Sequence, residues 1–326
     1  MGVRDNTSCM EEAALSTASF SDATISLLGH CSLCPRACGA NRVAGVRGVC
    51  GAADELRIAR AALHFWEEPP ISGNVGSGAV FFSNCPLHCV YCQNEPIANG
   101  SCGVDVSVRR LARIFLELQD QGALNVNLVT PTHYVPQIIE AAKLAREAGL
   151  TIPFVYNTSG YETPETIALL KGLVDTYLVD FRYIDAQTAR SYSKAPTYPE
   201  FAMASLDAMV EQGAHVIVRV LLLPTHLEET KRIVRYVHET YAVQETLGQL
   251  KLSLMSQYTP IGTFPLHPEL EQRVDPEAFE ELLDYADDIG CDDYFWQEGG
   301  AAEESFIPDF ASHEGVVGPE LASCAE

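Results

Sequence analysis

The feature that most constrains this chain is a rhythm. From Ala79 onward, short apolar runs rich in β-branched and aromatic residues alternate with longer amphipathic stretches. The runs cover residues 79–84, 125–130, 152–158, 176–181, 215–223 and 250–258, and each reads as a strand. Helical stretches lie between them over 106–122, 135–149, 164–173, 200–213 and 228–240. Two of these close on Gly122 and Gly149, which suit a left-handed cap. A last helix over 276–289 precedes a strand-like 292–297. Strict alternation with nearly continuous apolar strands means an α/β protein whose parallel sheet is covered by helices. Six units are too few to close an eight-stranded barrel, so a partial (β/α)6 barrel is expected, with a doubly wound sheet as the alternative. In both architectures ligands bind at the carboxyl ends of the strands, where Asn84, Thr130, Asn157, Asp180 and Gln257 stand.

Directly after the first of these strands, residues 83–94 read Ser-Asn-Cys-Pro-Leu-His-Cys-Val-Tyr-Cys-Gln-Asn. Cys85, Cys89 and Cys92 therefore share one loop at the edge where active sites form. Thiolates suit iron–sulfur clusters, which normally take four protein ligands, and this loop offers three. A cuboidal cluster with three cysteines keeps one iron open to a small molecule. The bland alternative is structural zinc, with His88 or Cys102 as fourth ligand.

Upstream, Cys31, Cys34, Cys38 and Cys50 make a complete set of four thiolates, enough to close a second cluster or a zinc site. In a reducing cytosol such close spacing reads as metal binding or redox chemistry before it reads as disulfides. Residues 31–75 are too few to build their own core, which fits a small metal-stapled module. Arg36, Arg42, Arg47, Arg57 and Arg60 crowd this stretch, opposed only by Asp54 and Glu55. Such a patch would offset thiolate charge and could dock an acidic electron donor such as a flavodoxin. Cys9, Cys102, Cys291 and Cys324 are dispersed and read as ordinary thiols.

With 326 residues, 47% of them hydrophobic, the chain can bury a substantial core. It has no long apolar run and no basic start followed by an apolar stretch, so neither a membrane span nor a signal peptide is expected, and the protein reads as cytoplasmic. A net charge of −23 argues against binding phosphate backbones. From Glu271 onward there are 17 acids and one base, Arg273. The expected division is a lead-in and Cys-rich module over 1–75, a barrel over 76–298 and an acidic tail over 299–326. The Gly73-Asn-Val-Gly76-Ser-Gly78 run precedes a strand instead of joining strand to helix, which excludes a dinucleotide fingerprint.

The CxxxCxxC spacing, with Tyr91 before its last cysteine and a βα array around it, resembles the signature of the radical S-adenosylmethionine (SAM) superfamily. The wider chain resembles that superfamily's uncharacterised branch related to pyruvate formate-lyase activating enzymes. The resemblance runs through Cys31-Ser-Leu-Cys34-Pro-Arg-Ala-Cys38-Gly, Leu63-His-Phe-Trp-Glu-Glu-Pro-Pro-Ile-Ser-Gly73, Asn127-Leu-Val-Thr-Pro-Thr-His-Tyr134 and Leu254-Met-Ser-Gln-Tyr258. It implies a partial barrel of the radical SAM type. It also implies a 4Fe-4S cluster on Cys85, Cys89 and Cys92, with SAM on the open iron.

A 5′-deoxyadenosyl radical would follow, which abstracts hydrogen from a substrate, a glycine of a partner protein in the activating enzymes. The implied SAM-binding residues are Tyr91, Asn94, Thr130, Thr132, Asn157, Thr158 and Asp180, with Arg182 beside Asp180. The implied electron donor is a flavodoxin or ferredoxin. Activating enzymes usually carry Gly-Gly-Glu after the second strand, whereas this chain has Thr130-Pro131-Thr132-His133, which puts the usual substrate in doubt. Outside this reading stands a noncatalytic iron–sulfur or zinc protein that senses redox state or transfers electrons.

Overall fold

The computed structural model describes residues 20–242, 250–297 and 308–317. Its frame is one nine-stranded sheet: β1 (Leu56–His64), β2 (Ser77–Phe82), β3 (Val104–Val106), β4 (Val126–Val129), β5 (Phe154–Thr158), β6 (Thr176–Asp180), β7 (His215–Leu221), β8 (Leu250–Met255) and β9 (Tyr294–Gln297). The strand order is β3-β1-β2-β4-β5-β6-β7-β8-β9. Every pairing from β2 to β9 is parallel. The sheet stays open between β3 and β9, which makes this α/β fold a partial barrel, as the alternation requires.

The covering helices are α1 (Asp22–Gly29), α2 (Val108–Asp120), α3 (Val135–Glu147), α4 (Pro164–Leu169), α5 (Ala186–Ser193), α6 (Tyr198–Glu211), α7 (Leu227–Val237) and α8 (Pro276–Asp288). Their starts are set locally. Ser107 accepts from the Arg110 amide, Asp185 from Gln187 and Thr188, and Asp275 from Glu277, while Pro164, Pro199 and Pro276 occupy first turns.

Three elements depart from the sequence reading. Residues 56–64, assigned there to the Cys-rich module, form β1, which pairs antiparallel with β2 and with the unexpected β3. Helix α5 was also not anticipated, because Ala-Gln-Thr-Ala-Arg-Ser-Tyr-Ser carries almost no apolar periodicity. The acidic tail expected over 299–326 lies partly outside the described residues, as do residues 1–19. Residues 308–317, however, pack across the start of the sheet. The Ala61 amide donates to Glu314 O at 2.8 Å, Arg60 pairs with Glu314, and Phe310 meets Phe81 edge-on. Gly315 has a φ of +71° here, and a Cβ on it would stand 1.8 Å from Ala61 O, so only glycine allows this approach.

Alternation along the strands sorts the core into two layers. Val126, Leu128, Tyr156, Val179, Val218, Val220 and Leu254 face outward into the main cluster beneath the helices. Val155, Leu178 and Ile217 face the concave side, where Ile71, from the irregular segment between β1 and β2, packs on them. That segment therefore plugs the concave side and leaves a cavity above it. No helix among the described residues is long and apolar enough to cross a membrane.

Candidate active site

The cavity measures about 630 Å³, within the usual range for a small-molecule site. The loop after β2 forms one wall. It turns sharply at Asn84 and His88, both left-handed at φ +74° and +55°. The Asn84 amide donates to Ile97 O at 2.7 Å and its side-chain amide to the Tyr134 hydroxyl at 3.1 Å. Cys85, Cys89 and Cys92 all line the cavity, and none is in a disulfide. The Leu87 amide and the Ser193 hydroxyl donate to the Cys85 and Cys89 sulfurs, at 3.4 and 3.2 Å.

Burial, then the charge of Cys89, pushes the Cys85 thiol up to about 11 and the Cys92 thiol up to about 12. A thiophilic cation displaces thiol protons, and three free cysteines on one wall of a cavity are a donor set that fits a metal cluster. The side chains that could complete a zinc tetrahedron are engaged elsewhere. His88 Nε2 lies 3.0 Å from Val49 O, and the Cys102 sulfhydryl donates to Phe310 O at 3.2 Å. Among the described residues no three Cys, His, Asp or Glu side chains close around a single metal ion.

Opposite the cysteines the walls are polar. Tyr91, Asn94, Thr130, Asn157, Thr158 and Asp180 all line the cavity, together with Asn84 and Gln257. Thr130 sits at φ +57°, a left-handed backbone for a β-branched residue, and its amide donates to Asn157 O at 2.9 Å. Thr132 is a correction: it does not reach the cavity. It is buried and its hydroxyl donates to Glu162 at 2.6 Å, alongside the hydroxyls of Thr158 and Tyr156. Burial pushes the Glu162 carboxyl up. His133 is also buried, with Nε2 2.8 Å from Ser83 O.

A charged network floors the cavity, of which the sequence reading had only the Asp180 and Arg182 pair and not Arg219. Arg219 donates to Asp180 at 2.6 Å, to Glu67 at 2.9 Å and to the Asn157 side-chain carbonyl at 2.7 Å. Arg182 donates to the other Asp180 oxygen at 2.7 Å, and the Asn127 and Asn157 side-chain amides donate to Glu67. Burial alone would loosen the Arg219 proton, but Asp180, Glu68 and Glu67 outweigh it and push its pKa up. The sequence did carry a signal: one arginine inside an apolar strand, His-Val-Ile-Val-Arg-Val-Leu, must find buried partners.

Cys31, Cys34, Cys38 and Cys50 come together in the N-terminal region without forming disulfides. Burial, then the thiolate charges of Cys50, Cys31 and Cys38, pushes Cys34 up to about 12. The five arginines do not form one exposed basic face. Arg42 is fully buried, donating to Ala53 O and His133 O. Arg57 pairs with Asp105 and Arg60 with Glu314, while Arg36 binds backbone carbonyls. Only Arg47 of the five is fully exposed, and it donates to Gly51 O.

Residues 79–237 match the family profile described as the Radical SAM superfamily. The chain is 28% identical over 274 residues to the uncharacterized protein MJ0674 of Methanocaldococcus jannaschii, covering 81% of this chain and 76% of that one. Among solved structures, SuiB of Streptococcus suis bound to S-adenosylmethionine superposes with a TM-score of 0.46 at 16% identity, over 66% of this chain and 45% of SuiB. The enzyme anSMEcpe with bound AdoMet gives 0.46 at 11% identity, over 65% of this chain and 61% of that one.

Proposed function

We propose that this chain is a radical SAM iron–sulfur enzyme whose cluster is held by Cys85, Cys89 and Cys92 and whose SAM occupies the adjoining cavity. One observation carries the reading: three free thiols from a single loop line a cavity at the carboxyl ends of parallel strands, inside the segment that matches the superfamily. Reduced by one electron when bound, the cluster supplies cleavage of SAM to methionine and a 5′-deoxyadenosyl radical, which takes a hydrogen atom from the substrate.

The protein's own contribution is positioning. Tyr91 and Asn94 stand on either side of Cys92 and would border the nucleoside, while Thr130, Asn157 and Asp180 present hydroxyl, amide and carboxylate groups across from it, and Thr158 borders them with its hydroxyl turned to Glu162. The Arg219 network holds Asn157 and Asp180 still, so these groups need no reorganisation when SAM arrives. In the finer reading the substrate is a glycine of a partner protein, as in activating enzymes, and a flavodoxin or ferredoxin supplies the electron.

Anaerobic reconstitution with iron and sulfide, reduction, and assay of 5′-deoxyadenosine tests the reading. The wild-type chain is expected to form it and Cys89→Ala to form none. Iron bound without SAM cleavage in the wild type would favour a redox sensor or electron carrier instead, and equal yields from wild type and Cys89→Ala would refute the assignment.

A further inference from the structure

We propose that Cys31, Cys34, Cys38 and Cys50 hold a second metal centre, closed by four thiolates and built to brace the loop that carries Cys85, Cys89 and Cys92. Little regular structure orders residues 31–50. This segment has no strand and only one 3₁₀ turn, Arg42–Ala44, and Val43, Val46 and Val49 are exposed. Cys31 and Cys50 are nevertheless buried. A segment that cannot bury enough apolar surface needs a staple, and four thiols without a disulfide point to a metal.

The backbone is shaped for it. Cys31 N donates to Ala40 O and Gly39 N to Cys31 O, both at 3.1 Å, closing residues 31–40 into a small knuckle. Within it Ala37 N donates to Cys34 O at 3.0 Å. Cys50 arrives from the other side, across Gly48. A Cβ on Gly48 would stand 3.3 Å from the Cys38 sulfur and 3.4 Å from the Cys50 sulfur, so both sulfurs converge on a residue that keeps clear of them. An all-thiolate set whose side chains do not close around a single ion suits an iron–sulfur cluster better than zinc, and four protein ligands leave no open position for a substrate.

The bracing follows from Arg36, which sits between Cys34 and Cys38. Its guanidinium donates to Pro86 O at 2.9 Å and Leu87 O at 3.1 Å, inside the other cysteine loop. It also donates to Ser193 O at 2.8 Å and Lys194 O at 2.6 Å. Ser193 in turn donates its hydroxyl to the Cys89 sulfur, and His88 meets Val49 O. Fixing the turn at Cys34–Cys38 therefore fixes carbonyls between Cys85 and Cys89 and that of Ser193, whose hydroxyl meets the Cys89 sulfur.

The test uses the full chain with Cys85, Cys89 and Cys92 all changed to Ala, reconstituted anaerobically with ferrous iron and sulfide or loaded with zinc. Iron, sulfide and zinc are then measured per chain. The expected result is one iron–sulfur cluster retained, with sulfide content distinguishing it from a single zinc ion. Adding Cys34→Ala and Cys38→Ala should lower the retained metal at least about tenfold. Cys38 is exposed, so Cys38→Ser alone gives a variant that spares the core and should weaken retention in the same direction.

In the chain with its first loop intact, Arg36→Ala should speed the loss of first-site iron to a chelator several-fold. A triple variant that binds neither metal, or one that keeps its metal without Cys34 and Cys38, overturns the second centre. An unchanged chelation rate in Arg36→Ala overturns the bracing. Metal content is read whether or not the chain cleaves SAM, so failure here is distinguishable from failure of the proposed function.

Discussion

Arg219→Met removes the cation at the centre of the cavity floor while keeping most of its bulk. Three charged hydrogen bonds disappear, to Asp180, Glu67 and Asn157. Asp180 retains Arg182, but Glu67, with a side chain only 9% exposed, is left without an ion-pair partner. Stranding a buried charge in this way costs about 3–5 kcal/mol. With a urea slope of about 3 kcal/mol per molar, the unfolding midpoint should fall by about 1–1.7 M. Adding Glu67→Gln should recover part of that loss, because the amide no longer needs a cation, and the coupling between the two sites should be about 2 kcal/mol. Far-UV circular dichroism through a urea series measures all four corners of the cycle. A midpoint lowered by less than about 0.3 M, or two losses that simply add, would show that the network does not hold the floor.

Three further outcomes follow from single side chains. Thr132→Val should cost about 1–2 kcal/mol by removing a donor to buried Glu162, yet change SAM affinity measured by equilibrium dialysis less than twofold; a tenfold loss would return Thr132 to the cavity. Burial lowers the His133 pKa from 6.5 to about 3, so the unfolded chain takes up a proton that the folded one refuses. Stability is therefore fully present above pH 6.5 and declines below it by about 1.4 kcal/mol per pH unit for this group, with His64, lowered to about 4, adding to the slope. His133→Asn should flatten the decline between pH 6.5 and 5 in urea titrations, and an unchanged slope would refute the assignment. Gly315→Ala should detach residues 308–317 from β1, seen as new cleavage there in limited proteolysis, and an uncut segment would contradict the tight approach to Ala61.

The parallel strands were legible because residues buried on both faces must be apolar without interruption, and few other structures require that. β1 was not, because Leu-Arg-Ile-Ala-Arg-Ala-Ala-Leu-His mixes arginines into its run and sits beside the cysteines, where composition reads as a module. The cysteine loop was legible from spacing alone. Asn157 and Asp180, expected near strand ends, line the cavity because strand parity fixes which way they face. Two residues past β4 that parity is lost. The left-handed backbone at Thr130 and the turn at Thr132–Tyr134 send Thr130 to the cavity and Thr132 to Glu162. Arginine spacing failed for a related reason: a long side chain on an irregular backbone goes where carbonyls await it, and sequence adjacency does not show where those lie.

An open barrel leaves its concave side to be filled by segments with no periodicity of their own, and this explains why charge sits at the floor of the cavity. Apolar packing of Ile71 against Val155, Leu178 and Ile217 favours burial of the plug but tolerates small slips in its position. Glu67, separated from Arg219 by 152 residues, has a single seat that satisfies Arg219, Asn127 and Asn157 together. Closing so long a loop costs little more than closing a shorter one, so the specificity of that seat, more than chain length, selects the register. The same Asn157 and Asp180 face the cavity, which makes the plug and the cavity wall one mechanical unit. A substitution that repacked the plug around Ile71 should therefore be felt at the wall, even though Ile71 does not line the cavity.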